Sequence, residues 1–184
     1  MYEDIRELHQ CRDNFINFLS VLEKENTDRN KDWFPSLIKN IDLYLYWTVV
    51  FQEEEIVAFS AIQDHNFEEG VVRILSRTFF APKIRLQPGY NFWSHTPVAP
   101  MAKRQLKWLS AQEQYKKILV TMEPRHRRDY FAKIIKKINT RAGACFEMLA
   151  DPIQTYPNQP ASLYQHAAQM SRDNYLKLES LAPT

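Results

Sequence analysis

The sequence predicts one mixed α/β domain, and three observations lead there. Runs rich in β-branched and aromatic residues follow one another across residues 43–80 with short polar links, as in an antiparallel meander. A helical period at 100–112 then leads, after two or three residues, into a further strand, which fits a crossover returning to the same sheet. An amphipathic stretch at the N-terminus adds a helix. At 184 residues the chain can bury a core without disulfides or metals, and 45% apolar with 25% charged residues is ordinary for a globular protein.

Taken in order, residues 2–24 read as a helix, because Ile5, Leu8, Phe15, Leu19 and Leu22 recur near a 3.6-residue period. A polar turn at 26–31 precedes a second short helix at 33–40, with Pro35 in its first turn. Leu43–Val50 and Ile56–Gln63 form a hairpin closed by Gln52 and three glutamates. Val71–Phe80 is the third strand of the meander. Pro82 and Pro88 stop it, and residues 81–99 make a long irregular segment whose Tyr90, Phe92, Trp93 and His95 argue for order. Pro100 opens a helix to about Gln112, Tyr115–Met122 is a fourth strand, and Arg127–Ala142 a helix stopped by Gly143. Short strands are expected at 145–149 and 153–156, split by Asp151 and Pro152, and a fraying surface helix from Ser171.

The net charge of +2 hides a division. Residues 1–70 hold 6 basic and 15 acidic side chains, residues 71–141 hold 16 and 3, and residues 142–184 hold 2 and 4. A basic middle third points to an anionic partner, or to neutralisation by the acidic part packed beside it. Cys11 and Cys145 have no C-x-x-C partner and read as reduced thiols. The five histidines show no metal-ligand spacing, so no metal is expected. No apolar run approaches the roughly 18 residues of a membrane span, and the acidic N-terminus is unlike a targeting peptide. A cytoplasmic protein without membrane contact is the expectation.

The order of helix, helix, three antiparallel strands, basic loop, helix, strand, helix, strand resembles the GNAT superfamily of N-acetyltransferases. The core of the likeness spans about residues 43–149 of a single domain 1–184, with 150–184 as a C-terminal extension. The chain also looks like the divergent GNAT-like proteins of large tailed phages. The resemblance implies a central, mostly antiparallel mixed sheet with helices on both faces. It implies that the strand through Arg77, Thr78, Phe79 and Phe80 splays from its neighbour and pairs its backbone with the pantetheine arm of acetyl-CoA. The family's next loop, Gln/Arg-x-x-Gly-x-Gly/Ala, wraps the pyrophosphate at a helix N-terminus. Its counterpart here holds Lys83, Arg85, Gln87, Gly89 and Tyr90, with one glycine only and about ten residues before Pro100. Arg125 is a further candidate for the phosphates. The tyrosine that the family uses as general acid corresponds to Tyr130, offset from its usual place.

Acetyl transfer to an amine needs a bound thioester, a base for the amine's proton and a donor for the leaving thiolate. Glu123 and His126 are the candidate bases, with His95 a third. Two readings follow. One is an acyl-CoA-dependent N-acyltransferase acting on a small-molecule or protein amine. The other is a catalytically degenerate protein of the same fold that binds nucleic acid or an acidic partner through its basic 71–141 face. A chain of three glycines favours the second, while the order of strand, basic loop and helix fits either.

Overall fold

Seven strands form one sheet in the order β1-β2-β3-β4-β5-β7-β6, with a single parallel pair, β4 and β5. The computed structural model describes residues 4–25, 37–81, 84, 96–124 and 126–179. Its strands are β1 (Asp4–Glu7), β2 (Tyr46–Gln52), β3 (Glu55–Asp64), β4 (Val71–Phe80), β5 (Lys117–Met122), β6 (Glu147–Met148) and β7 (His166–Ser171). The helices are α1 (Leu8–Glu25), α2 (Val98–Ser110), α3 (Arg128–Ala142) and α4 (Arg172–Glu179).

Alternation along the strands divides the core between two faces. Trp47, Val49, Phe51, Phe59 and Ala61 point to α1, where they meet Phe15, Leu19 and Leu22. Phe15 lies edge-on to Phe59 at 5.1 Å and tilted against Trp47 at 5.2 Å, within the range of favourable ring pairs. Tyr46, Ile62, Val72 and Ile74 point the other way, onto Leu106 and Leu109 of α2 and Phe131 and Ile135 of α3. Helices on both faces are therefore observed. The β4–α2–β5 passage is the expected crossover.

Several boundaries differ from the sequence reading. The N-terminal helix begins only at Leu8. Asp4–Glu7 instead pair antiparallel with Thr48–Phe51, and the Arg6 guanidinium sits 4.0 Å over the Phe51 ring and binds Asp4 and Glu54. A partner strand outcompeted the helical period at that end. Of the expected helix at 33–40, the described part is helical at 37–39 and runs on into a 3₁₀ turn, Ile41–Leu43. The first hairpin strand consequently starts three residues late, at Tyr46. The strand expected at 153–156 is a lone bridge between Ile153 and Gln165. The strand missed altogether is β7, and its place between β5 and β6 carries the sheet beyond the core expected at 43–149. His-Ala-Ala-Gln-Met-Ser has little β-propensity, but Ala167 and Ala168 are fully buried on a strand flanked on both sides, where fit decides more than preference.

Turn geometry is sharper than the composition suggests. Glu53 and Glu54 both take positive φ, 52° and 63°, as a two-residue hairpin turn demands. Gly143 takes φ 65° at the end of α3, and its N–H closes onto the Asn139 carbonyl.

One polar side chain ties the meander to α2. Gln105 is fully buried on α2 and donates to the Thr48 Oγ1 (3.1 Å) and Ser60 Oγ (2.8 Å) on β2 and β3. Its Oε1 accepts from the Leu75 N–H on β4 at 2.8 Å. Leaving such a buried donor without a partner costs about 1–3 kcal/mol. We predict that Gln105→Leu lowers stability by roughly 2–3 kcal/mol, read as a lower urea midpoint at unchanged slope. A loss below about 0.5 kcal/mol would show that the network contributes little.

Cys11 is buried and Cys145 half-buried. Burial on α1 pushes the Cys11 thiol up to about 11, and Cys145 is raised for the same reason. Since the thiolate is the reacting form, both should resist a thiol reagent in the native protein and react fully on denaturation. Rapid native labelling of Cys11 would contradict its placement.

Candidate functional site

β4 is regular for only part of its length. Its register with β3 slips by one residue between Arg73 and Ser76, and by one more before Phe79. The extra residues lie about Leu75 and Arg77, whose φ values of 54° and 53° are left-handed. Neither is glycine, so each costs about 1–2 kcal/mol, and strain of this kind gathers at functional sites. Side chains satisfy the groups that the bulges release. Gln105 takes the Leu75 N–H, Thr78 Oγ1 donates to the Leu75 carbonyl at 2.5 Å, and Ser76 Oγ to that of Arg73 at 3.5 Å.

The second partner of β4 is lost at the same point. β4 pairs with β5 only from Val71 to Ile74, against Lys117 to Val120. Beyond Val120, β5 continues with β7 alone, through Thr121 and Met122. The two strands part, and a cleft of about 260 Å³ lies between them. Ser76, Arg77 and Thr78 form one wall, Thr121, Met122 and Glu123 the other. Tyr156 and Gln165, from the long connection between β6 and β7, close a third side. An outer groove of about 640 Å³ shares Glu123, Tyr156 and Gln165 with the cleft and continues toward Leu163.

Two arginines give this cleft its charge. Arg73 is 2% exposed, and its only hydrogen bond among the described residues runs from Nη2 to Gln63 Oε1 at 3.0 Å. Its guanidinium lies 5.0 Å from the centre of the Tyr156 ring, and its Nε has no partner among the described residues. Arg77 lies 5.8 Å from the same ring and donates through Nε to the Tyr44 hydroxyl at 2.9 Å. Burying a guanidinium costs several kcal/mol. A cation–π contact returns about 0.5–2 kcal/mol and one hydrogen bond to the charged group about 1.5–3 kcal/mol. The described residues supply Arg73 with no carboxylate, so among them its charge is incompletely compensated.

Of the residues singled out in the sequence, Arg77, Thr78, Glu123 and His126 are brought together in this cleft. A tight turn, closed by the His126 N–H on the Glu123 carbonyl at 3.1 Å, sets the last two side by side. Phe79 and Phe80 are not among the residues lining the cleft. Phe79 stacks on Phe59 at 5.2 Å on the α1 face, and Phe80 packs into the core. Tyr130, in the first turn of α3, is not among the residues lining the cleft. Its ring lies 6.1 Å from that of His126, and partial burial raises its pKa. Lys83, Arg85, Gln87, Gly89, Tyr90 and Arg125 lie outside the described residues, as do Phe92, Trp93 and His95 of the aromatic segment.

The cations at the start of α3 are held by the protein itself. Arg127 pairs with Asp129 at 3.0 Å, and Arg128 donates to the carbonyls of Ala150 and Leu149. The sequence reading missed Arg73, Gln105 and Tyr156. Arg73 had a signal, a lone charge in the apolar run Val-Val-Arg-Ile-Leu. Tyr156 had none, since its position depends on a long connection. Among the described residues, no group of three or more His, Cys, Asp or Glu is placed to hold a metal, and no helix is long and apolar enough to cross a membrane.

No family model matches the chain, and no curated protein matches it in sequence. Solved structures do. A mutant of the spermidine N-acetyltransferase from Vibrio cholerae superposes with a TM-score of 0.59 at 13% identity, over 96% of this chain and 97% of its own. A dodecameric structure of that enzyme gives 0.55 at 12%, over 94% and 95%. A protein from Desulfovibrio desulfuricans described as an acetyltransferase of the GNAT family gives 0.57 at 12%, over 92% and 98%. At these identities the likeness is one of fold, and nearly the whole chain takes part in it. A mixed sheet that opens between β4 and β5, with helices on both faces, gives this chain the fold of the GNAT acetyltransferases.

Proposed function

We propose that the chain is an N-acyltransferase that moves an acetyl group from acetyl-CoA to an amine. The observation that carries this reading is the opening of the sheet where β4 bulges and β5 departs. From Leu75 onward β4 has, among the described residues, a ladder partner on its β3 side only, so its other edge suits an extended arm bearing amide groups. In this reading the backbone of Arg77, Thr78, Phe79 and Phe80 holds the pantetheine arm. Lys83, Arg85, Gln87, Gly89, Tyr90 and Arg125 serve the phosphates. Acetyl-CoA supplies an acyl group activated as a thioester.

The chain's own groups then orient the reactants and manage protons. Glu123, exposed at the cleft wall, or His126 beside it accepts a proton from the acceptor's ammonium group, which frees the nitrogen lone pair. Tyr130 is the donor that the resemblance implies; its ring lies 6.1 Å from that of His126, so it would reach the cleft only by way of that imidazole.

The competing reading, a basic face for nucleic acid or an acidic protein, has less to support it. Arg104 meets Glu7 and Lys117 meets Glu68, so part of the basic third is neutralised by the acidic one. Spermidine, the substrate named for the Vibrio cholerae enzyme, is not carried over, because two arginines line this cleft.

Calorimetry should show acetyl-CoA binding with a Kd between about 1 μM and 1 mM, the usual range of enzyme affinities. Glu123→Gln and His126→Asn should leave that affinity intact, while one of them lowers the rate of acetyl transfer by about 10²-fold. No heat with acetyl-CoA, together with salt-dependent binding to DNA or RNA, would sink the reading.

A further inference from the structure

The acceptor is open in the acyl-transfer reading, and the charge of the cleft narrows it. Arg73 and Gln63 are register partners, and both lie on the face of the sheet opposite Ile62 and Val72. That is the α1 face, and Arg77 shares it through its bond to the Tyr44 hydroxyl. In the acyl-transfer reading the phosphates of the donor belong to the N-terminus of α2, on the other face. Arg73 and Arg77 thus lie on the face away from the donor's phosphates, each with one side-chain hydrogen bond among the described residues. Tyr156 presents one ring to both of them, and Glu123 lines the same cleft. Arg73 is almost fully buried, its Nε has no partner among the described residues, and a buried guanidinium with one hydrogen bond gains from a counter-charge.

We propose that the acceptor is a small amine carrying an anionic group, a carboxylate or a phosphate, which Arg73 and Arg77 hold while its ammonium faces Glu123. The proposal rests on the acyl-transfer reading for its chemistry and for the face that the donor's phosphates take, while the two arginines in the cleft are observed independently of it. Two guanidiniums repel a polyamine and attract an acidic group, and a guanidinium presents parallel N–H donors to either oxyanion. Tyr156 would flank the bound acceptor.

The test uses the full chain and four probes: O-phosphoethanolamine, 4-aminobutyrate, ethanolamine and spermidine. Titration calorimetry should show at least one of the two anionic amines binding 10-fold or more tightly than ethanolamine and spermidine, and the preferred probe identifies the anion. Arg77→Gln should weaken that binding 10-fold or more. Arg73→Met should abolish it while the thermal midpoint holds or rises, since an apolar side chain of similar length replaces an incompletely paired buried charge. A merely structural Arg73 would lower the midpoint instead. Equal binding of ethanolamine, preference for spermidine, or indifference to Arg77→Gln would each overturn the proposal. Acetyl transfer, followed by mass spectrometry, separates the two ideas. Transfer to ethanolamine or spermidine at equal or higher kcat/KM overturns the anionic acceptor but keeps acyl transfer. Selective binding of the anionic amines without any acetyl-CoA binding sustains the anion site and overturns acyl transfer.

Discussion

A single amide on α2 fixes the geometry on which the candidate site depends. Gln105 takes the one N–H that the first β4 bulge pulls out of the ladder, and it anchors itself on hydroxyls of the two strands beyond. Without that acceptor, Leu75 would hold a strained left-handed conformation and an orphaned donor together. With it, the bulge becomes a defined bend. The helix that crosses from β4 to β5 thus holds the strand open at the point where the two strands must part. Full burial at this position is what makes the bonds strong enough to matter, because no water competes for them.

Electrostatics divide the molecule differently from the linear charge pattern. Arg104 with Glu7 and Lys117 with Glu68 close long sequence gaps, and at the start of α3 Arg127 and Arg128 are spent on protein acceptors. These pairs are exposed or half-buried, and each contributes little to stability. In the cleft, Arg73 and Arg77 have no ion pair among the described residues. Arg73 is the extreme case, since it is the one arginine among the largest fully buried side chains.

What could be read from the sequence tracks what is local. The limits of β4 and the Gly143 stop were visible, because strand composition and a C-terminal glycine act over a few residues. The bulges were not. Leu75 and Arg77 are ordinary strand residues by type, and their left-handed angles come from Gln105, thirty residues on, and from Ser76 and Thr78 hydroxyls that have many other uses. Glu123 and His126 were found as a pair because one turn holds them together. Tyr156 reaches the cleft only through the β6–β7 connection, a long-range placement that no periodicity encodes. β1 and β7 were misread for the same reason: each is a strand because a neighbour accepts it.

The position of β7 has a consequence for how the molecule is assembled. In sequence it follows every other strand, yet in space it sits between β5 and β6 and is the only partner of β5 beyond Val120. Until residues 166–171 dock, β5 is an unprotected edge, open to pairing with another chain. The ladder that completes the sheet is also its most non-local step, of the kind that slows folding. Because Tyr156 lies on the connection that β6 and β7 pin at both ends, the third wall of the cleft forms with that last docking. The protein cannot finish its candidate site before it has finished its sheet.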